Sequence, residues 1–309
     1  MNLGQPIRNH LHSAYRSRYY LLMLLPGLIY YLVFHYAPIY GVLIAFKEFN
    51  IFEGIWGSPW APHYGMQQFL DLFQSPDFYI IFRNTVLLSV YTIVFSFPMP
   101  IVLALSLNEV VSPWWKRTVQ SISYLPHFIS TVVISGMVFN FVSLNGMVNQ
   151  IAGWFGFEHK QFLLMPGYFR TIFVTSDIWQ TIGWGSILYL AALAAVDPQL
   201  YESAKIDGAN RWHRILYINV PALIPTAVVL LIFQIGGIMN ASYEKVLLLY
   251  NPNVYETADV IGTYVYRRGI VGAEFSFTAA AGLFQSVIGF GLVVIANYAA
   301  RRFSSSSLW

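Results

Sequence analysis

Asp177, Gln180 and Trp184 stand at i, i+3 and i+7, the spacing of one helical face, with Trp179 close by. A carboxylate and an amide can trade hydrogen bonds with hydroxyls, and an indole can cover apolar C–H groups. Together they have the chemistry to hold a sugar ring. The same tryptophans have a second reading, as an aromatic belt that anchors a helix at a membrane interface. Gln234 and Asn240 are amides in another apolar run, and Asn140 and Gln285 sit in two more. An unpaired amide in hydrocarbon is costly, so each of the four either lines a polar path or bonds to a neighbouring helix. Thr278, Gly282, Gln285 and Gly289 share a face and suit close helix packing. Asp177 admits one further reading, an ion-coupled carrier of a small polar solute, because buried ionisable groups often mark ion routes.

Other chemistry is missing. The chain has no Cys, hence no disulfide, thiolate metal site or Cys nucleophile. No G-x-x-x-x-G-K-[ST] occurs to cradle nucleotide phosphates, and H-E-x-x-H and G-x-S-x-G are absent too. The seven His show no metal-ligand spacing, so no metal site is expected. An intramembrane protease or transferase is unsupported, and the chain is expected to bind no cofactor of its own.

The elements that must position these residues follow from composition. A hydrophobic fraction of 57%, an aromatic fraction of 17% and only 10% charged residues suit a bilayer better than water. Mean hydropathy is +0.55. Six stretches approach the roughly 20 apolar residues needed to cross about 30 Å of hydrocarbon. They lie at about 19–41, 85–107, 120–143, 171–194, 221–243 and 277–300, and Asn84 and Asn108 bracket the second. The first is too long for the apolar region of a cleaved signal peptide. Ser112-Pro113 predicts a short interfacial helix before the third span. The loop from Phe46 to Phe82, rich in Trp, Pro and Gly, reads as ordered. If the N-terminus is inside, the inner segments hold ten of the 17 Lys and Arg against four acids, so both termini are expected in the cytoplasm. The expected division is an N-terminal segment 1–18, a membrane domain 19–303 and a tail 304–309.

One segment breaks the apolar pattern. Glu202, Lys205, Asp207, Arg211 and Arg214 fall within thirteen positions of the inner loop between the fourth and fifth spans. Asp197 and Pro198 can start a helix there, Gly208 can end it through a left-handed conformation, and a second helix runs from about Asn210 into the fifth span. A solvated topology anchor would look much the same.

Glu202-Ser203-Ala204, three residues, Gly208, nine residues, Ile218, one residue and Val220-Pro221 resemble the EAA loop of the membrane subunits of ABC importers. Ser203 and Val220 replace the family's Ala and Leu. The core Asp207-Gly208-Ala209 and Trp212 are similar to the sugar-importing branch, especially the permeases of Gram-positive bacteria that carry oligosaccharides or polysaccharides. The resemblance implies an all-α membrane protein with six transmembrane helices, the MetI-like fold of type I importers, with the loop at about 197–221. It implies a plasma-membrane transporter subunit that is not an enzyme. Glu202, Ser203, Ala204, Asp207, Gly208, Ala209 and Arg211 would couple to a separate ATPase. The implied partners are a second, related but different permease, two copies of a cytoplasmic ATPase that bind ATP and Mg, an extracellular solute-binding protein, the lipid bilayer and a carbohydrate. No nucleic acid is expected. Trp179, Gln180, Trp184, Asn140, Gln234, Asn240 and Gln285 are the substrate-path candidates.

Overall fold

The computed structural model describes residues 17–240 and 243–303, and these are helical throughout apart from loops and one isolated bridge between Lys47 and Trp60. Residues 1–16, with Arg8 and Arg16, and the expected tail 304–309 lie outside the described residues. Among the described residues, five helices are long and apolar enough to cross a membrane: Arg18–Phe46, Phe78–Glu109, Thr131–Trp154, Arg211–Gly236 and Phe275–Arg302. A sixth is reached when Pro166–Ala194 is taken together with Pro198–Ile206, which leaves its axis at 71°. The chain divides into two compact units, Met1–Asp71 with Phe275–Ala280 and Leu72–Glu274 with Ala281–Trp309.

In the first unit, Arg18–Phe46 runs five residues past its expected end. It changes from α-helix to π-helix at Leu32–Tyr36 and to 3₁₀-helix at Ala37–Phe46. Among the described residues of this helix, Ala45 is buried. The loop that follows is ordered, as its composition predicts. Lys47, 5% exposed, donates from Nζ to the carbonyls of Ile55 at 2.7 Å and Ser58 at 3.0 Å, and the backbone N–H of Phe49 donates to Ser276 Oγ at 2.8 Å.

The second unit is organised by the 29-residue helix Pro166–Ala194. At about 1.5 Å per residue it is ~43 Å long, more than hydrocarbon alone requires. Phe169 and Phe173 pack with Leu88, Ile134 and Val246 near one end, while Tyr189 and Leu193 pack with Ala104 and Leu223 near the other. Gly183 allows the closest approach: a Cβ there would stand 2.0 Å from the carbonyl oxygen of Ser123.

Three limits differ from expectation. The second span begins at Phe78, so Asn84 lies inside it and does not bracket it. It is fully buried, donates to the carbonyls of Glu256 at 3.0 Å and Asp259 at 3.1 Å, and accepts from Arg170 at 2.9 Å. The third span does not begin at 120. Residues up to Tyr124 belong to the short helix Pro113–Tyr124, Pro126 sits in a 3₁₀ turn, and Ser130 caps the new helix by accepting from the Val133 N–H at 3.4 Å. The fifth helix stops at Gly236, before 243, because Gly236-Gly237 favours ending it. A separate short helix, Tyr243–Leu249, follows.

Candidate functional site: a central cavity and a charged loop

Pro166–Ala194 carries its polar face into two adjoining cavities. One of about 610 Å³ is lined by His127, Asp177, Gln180, Asn240, Glu244 and Lys245 among others. The other, about 490 Å³, shares His127 and Asp177 and adds Trp184, Gln234 and Ser96. A smaller one of about 160 Å³ lies between Gln234, Asn240 and Ser89.

At the junction, Asp177 accepts a hydrogen bond from Ser96 Oγ at 2.7 Å on one oxygen and faces Lys245 Nζ at 3.6 Å with the other. Both side chains are largely buried, at 13% and 4% exposure. Burial pulls the Lys245 ammonium below its ordinary range, against the pull of the Asp177 carboxylate, which raises it. Trp184 is half-exposed and lies flat on the His127 ring, with centroids 4.5 Å apart and planes 5° from parallel. Phe128 meets the indole edge-on at 5.5 Å.

The structure brings together Gln180, Trp184, Gln234 and Asn240 around these cavities and separates the other three candidates from them. Trp179 packs on the apolar cluster around Phe173, with Phe141 6.5 Å away. Asn140 is exposed and lines none of these cavities. Gln285 donates to the Met239 carbonyl at 2.7 Å, which satisfies its amide by a helix contact. The packing face on the last helix is mixed: Gly289 lies against the Gly236 carbonyl, but Gly282 has open space beside it. His127, Lys245 and Ser96 are missing from the sequence reading. Each lies in a different segment from Asp177, so no local spacing connects them.

The charged loop forms the expected helix, turn and helix. Asp197 caps Pro198–Ile206 by accepting from the Gln199 N–H at 2.9 Å. Gly208 has φ 75°. The N–H of Ala209 reaches back to the Ala204 carbonyl at 2.8 Å and that of Gly208 to Lys205 at 3.2 Å, the paired closure of a glycine-ended helix. Asn210 then caps Arg211–Arg214. Glu202, Ser203, Asp207 and Arg211 are exposed, Ala204 and Ala209 half-buried. Ile206 and Trp212, 86% and 71% exposed, add apolar surface to the same loop. Arg214 pairs with Glu109 at 3.5 Å, and Tyr201 donates to Asn219 Oδ1 at 2.7 Å, which ties the loop to the ends of two spans.

Residues 96–305, covering the cavity and the loop, match the family described as binding-protein-dependent transport system inner membrane component. The chain belongs to this family. It is similar to Protein LplB of Bacillus subtilis (strain 168), 41% identical over 95% of this chain and 92% of that protein. It is similar also to the polygalacturonan/rhamnogalacturonan transport system permease protein YteP of the same organism, 40% identical over 95% and 91%. Among solved structures it resembles a chain of a bacterial ABC transporter involved in the import of the acidic polysaccharide alginate. The TM-score is 0.87 at 43% identity, covering 95% of this chain and 99% of that one. A chain of a bacterial alginate ABC transporter in complex with an alginate pentasaccharide-bound periplasmic protein gives 0.88 at 42% identity, covering 96% and 99%. The fold is thus the all-α permease fold of ABC importers, and the chain is a membrane-embedded transporter subunit whose family leaves ATP hydrolysis to a separate subunit.

Proposed function

We propose that this permease carries an oligosaccharide handed over by an extracellular binding protein, and that the path runs along Asp177, Gln180, Trp184, Gln234 and Asn240. The observation that supports it most is the Trp184–His127 stack beside Asp177: an aromatic surface and hydrogen-bonding groups on one cavity wall. Relatives named for polygalacturonan/rhamnogalacturonan transport and alginate import favour a carbohydrate. The ion-coupled carrier is not favoured by this family membership.

Coupling is assigned to the loop around Glu202, Ser203, Ala204, Asp207, Gly208, Ala209 and Arg211. Its rigid helices and exposed charges suit docking on a soluble ATPase, two copies of which would hold ATP and Mg. A second, related permease completes the membrane part, in the plasma membrane with both termini cytoplasmic. ATP closes the ATPases, the loop moves with them, and the cavity is exposed alternately to the two sides.

The test is reconstitution of the chain with the co-purified products of its genomic neighbours. ATP should drive uptake of oligosaccharides delivered by the binding protein. Uptake driven by an ion gradient without the ATPase would overturn the proposal.

A further inference from the structure

Lys245 brings to the cavity a charge that its own chain leaves incompletely used. Its side chain is 4% exposed, yet Nζ has no protein acceptor within hydrogen-bond distance. Asp177 Oδ1, at 3.6 Å, is close enough for charge attraction and too far for a good hydrogen bond. Ser96 occupies the other Asp177 oxygen, so Oδ1 keeps acceptor capacity. A buried donor and a buried acceptor thus face each other across a gap, at the edge of a cavity of about 610 Å³.

The chemistry of the group that completes such a gap is restricted. A carboxylate would accept from Lys245 but lie against the Asp177 charge, with Glu244 on the same wall. A cation would satisfy Asp177 and be repelled by Lys245. A hydroxyl accepts from Nζ and donates to Oδ1, so it satisfies both groups and adds no charge. Among the described residues, Lys245 and the neighbouring His127 are the basic side chains that line this cavity.

We propose that Lys245, from the segment after the fifth span, is a specificity-determining residue of the path, which with Asp177 holds one neutral hydroxyl of the carbohydrate and disfavours a carboxylate at that position. Trp184 lies seven residues along the same helix, about 10.5 Å at ~1.5 Å per residue. The pair and the aromatic surface therefore engage different parts of an extended chain. The proposal rests on the carbohydrate reading above and adds to it the ligand group at this point.

Equilibrium binding to the purified membrane complex without its binding protein tests it. The probes are neutral trisaccharides (galactotriose, xylotriose and mannotriose) and trigalacturonate. Wild type should bind at least one neutral sugar more tightly than trigalacturonate. Lys245→Met should weaken that neutral sugar about tenfold or more, and Lys245→Arg should stay within about threefold of wild type. The double variant Asp177→Asn with Lys245→Gln leaves no lone buried charge and keeps a donor facing an acceptor, so it too should retain most affinity. If Lys245→Met or the double variant lowers thermal stability while neutral-sugar affinity is unchanged, the pair is structural and the proposal is overturned. Tighter trigalacturonate binding that is lost in Lys245→Met would make Lys245 a carboxylate receptor, also against it. Binding of no sugar at all to the wild-type complex would overturn the carbohydrate reading and this proposal with it.

Discussion

Two residues carry the most direct tests. Trp184 is half-exposed and meets the rings of His127 and Phe128, so truncation removes a surface without opening the apolar core. An aromatic contact contributes about 0.5–1.5 kcal/mol. Trp184→Ala should therefore raise the oligosaccharide concentration for half-maximal ATPase stimulation up to roughly tenfold, with assembly intact. Unchanged sugar dependence alongside a fall in lipid-dependent stability would return Trp184 to the interfacial belt. Gly208 is the other. A Cβ added there meets open space, so any cost of substitution comes from φ 75° alone. Gly208→Val should strain the turn by about 1–3 kcal/mol and misdirect the helix before it. Membrane insertion should persist, while co-purification of the ATPase or coupling of its hydrolysis to uptake fails. Wild-type ATPase association and transport would reduce the loop to a topology anchor.

At the scale of elements, the long central helix and the loop behind it work through a few close contacts. Gly183 lets Pro113–Tyr124 approach Pro166–Ala194 so closely that a methyl group would collide with the Ser123 backbone. Gly183→Ala should destabilise the folded subunit by about 1–3 kcal/mol, as overpacking does, read as a lower melting temperature in detergent. Beyond the C-terminal end of the same helix the loop is held by the Arg214–Glu109 pair, both side chains about a quarter or less exposed. Arg214→Ala should cost about 1 kcal/mol or less in stability. It should lower the sugar moved per ATP hydrolysed, and Glu109→Gln should do the same, with the double variant little worse than either single. Strict additivity would mean that the two side chains act separately. Glu202→Lys, exposed and outside these contacts, should leave melting unchanged and weaken ATPase association.

For the whole molecule, the distribution of Lys and Arg bears on which way it faces. With the N-terminus inside, the inner segments would hold ten Lys and Arg against four acids, which predicts cytoplasmic termini. A reporter fused after Arg302 should read cytoplasmic, and one inserted near Gly156 external; the reverse at both sites would overturn the N-in topology.

Much of this was present in the order of residues. Six apolar runs, the Asp197-Pro198 start, the Gly208 stop and the spacing from Glu202 to Pro221 are local signals, set by hydropathy, backbone sterics and capping within a few positions. They were sufficient for the fold class and for the helix, turn and helix of the loop. The face shared by Gln180 and Trp184 was local too. Periodicity places residues on a face but says nothing about what that face meets, so Trp179, one residue from Gln180, went to the apolar cluster instead of the cavity. Gln285 had two readings in the sequence, path or helix contact, and Asn84 read as a bracket of the second span, whereas in the fold distant backbone carbonyls supply the acceptors of both. The site itself was decided by tertiary structure: His127 precedes the third span, Ser96 lies in the second and Lys245 follows the fifth. Only packing against Pro166–Ala194 brings them to Asp177 and Trp184, because a charge pair or a ring stack depends on distance in space and leaves no period in the sequence.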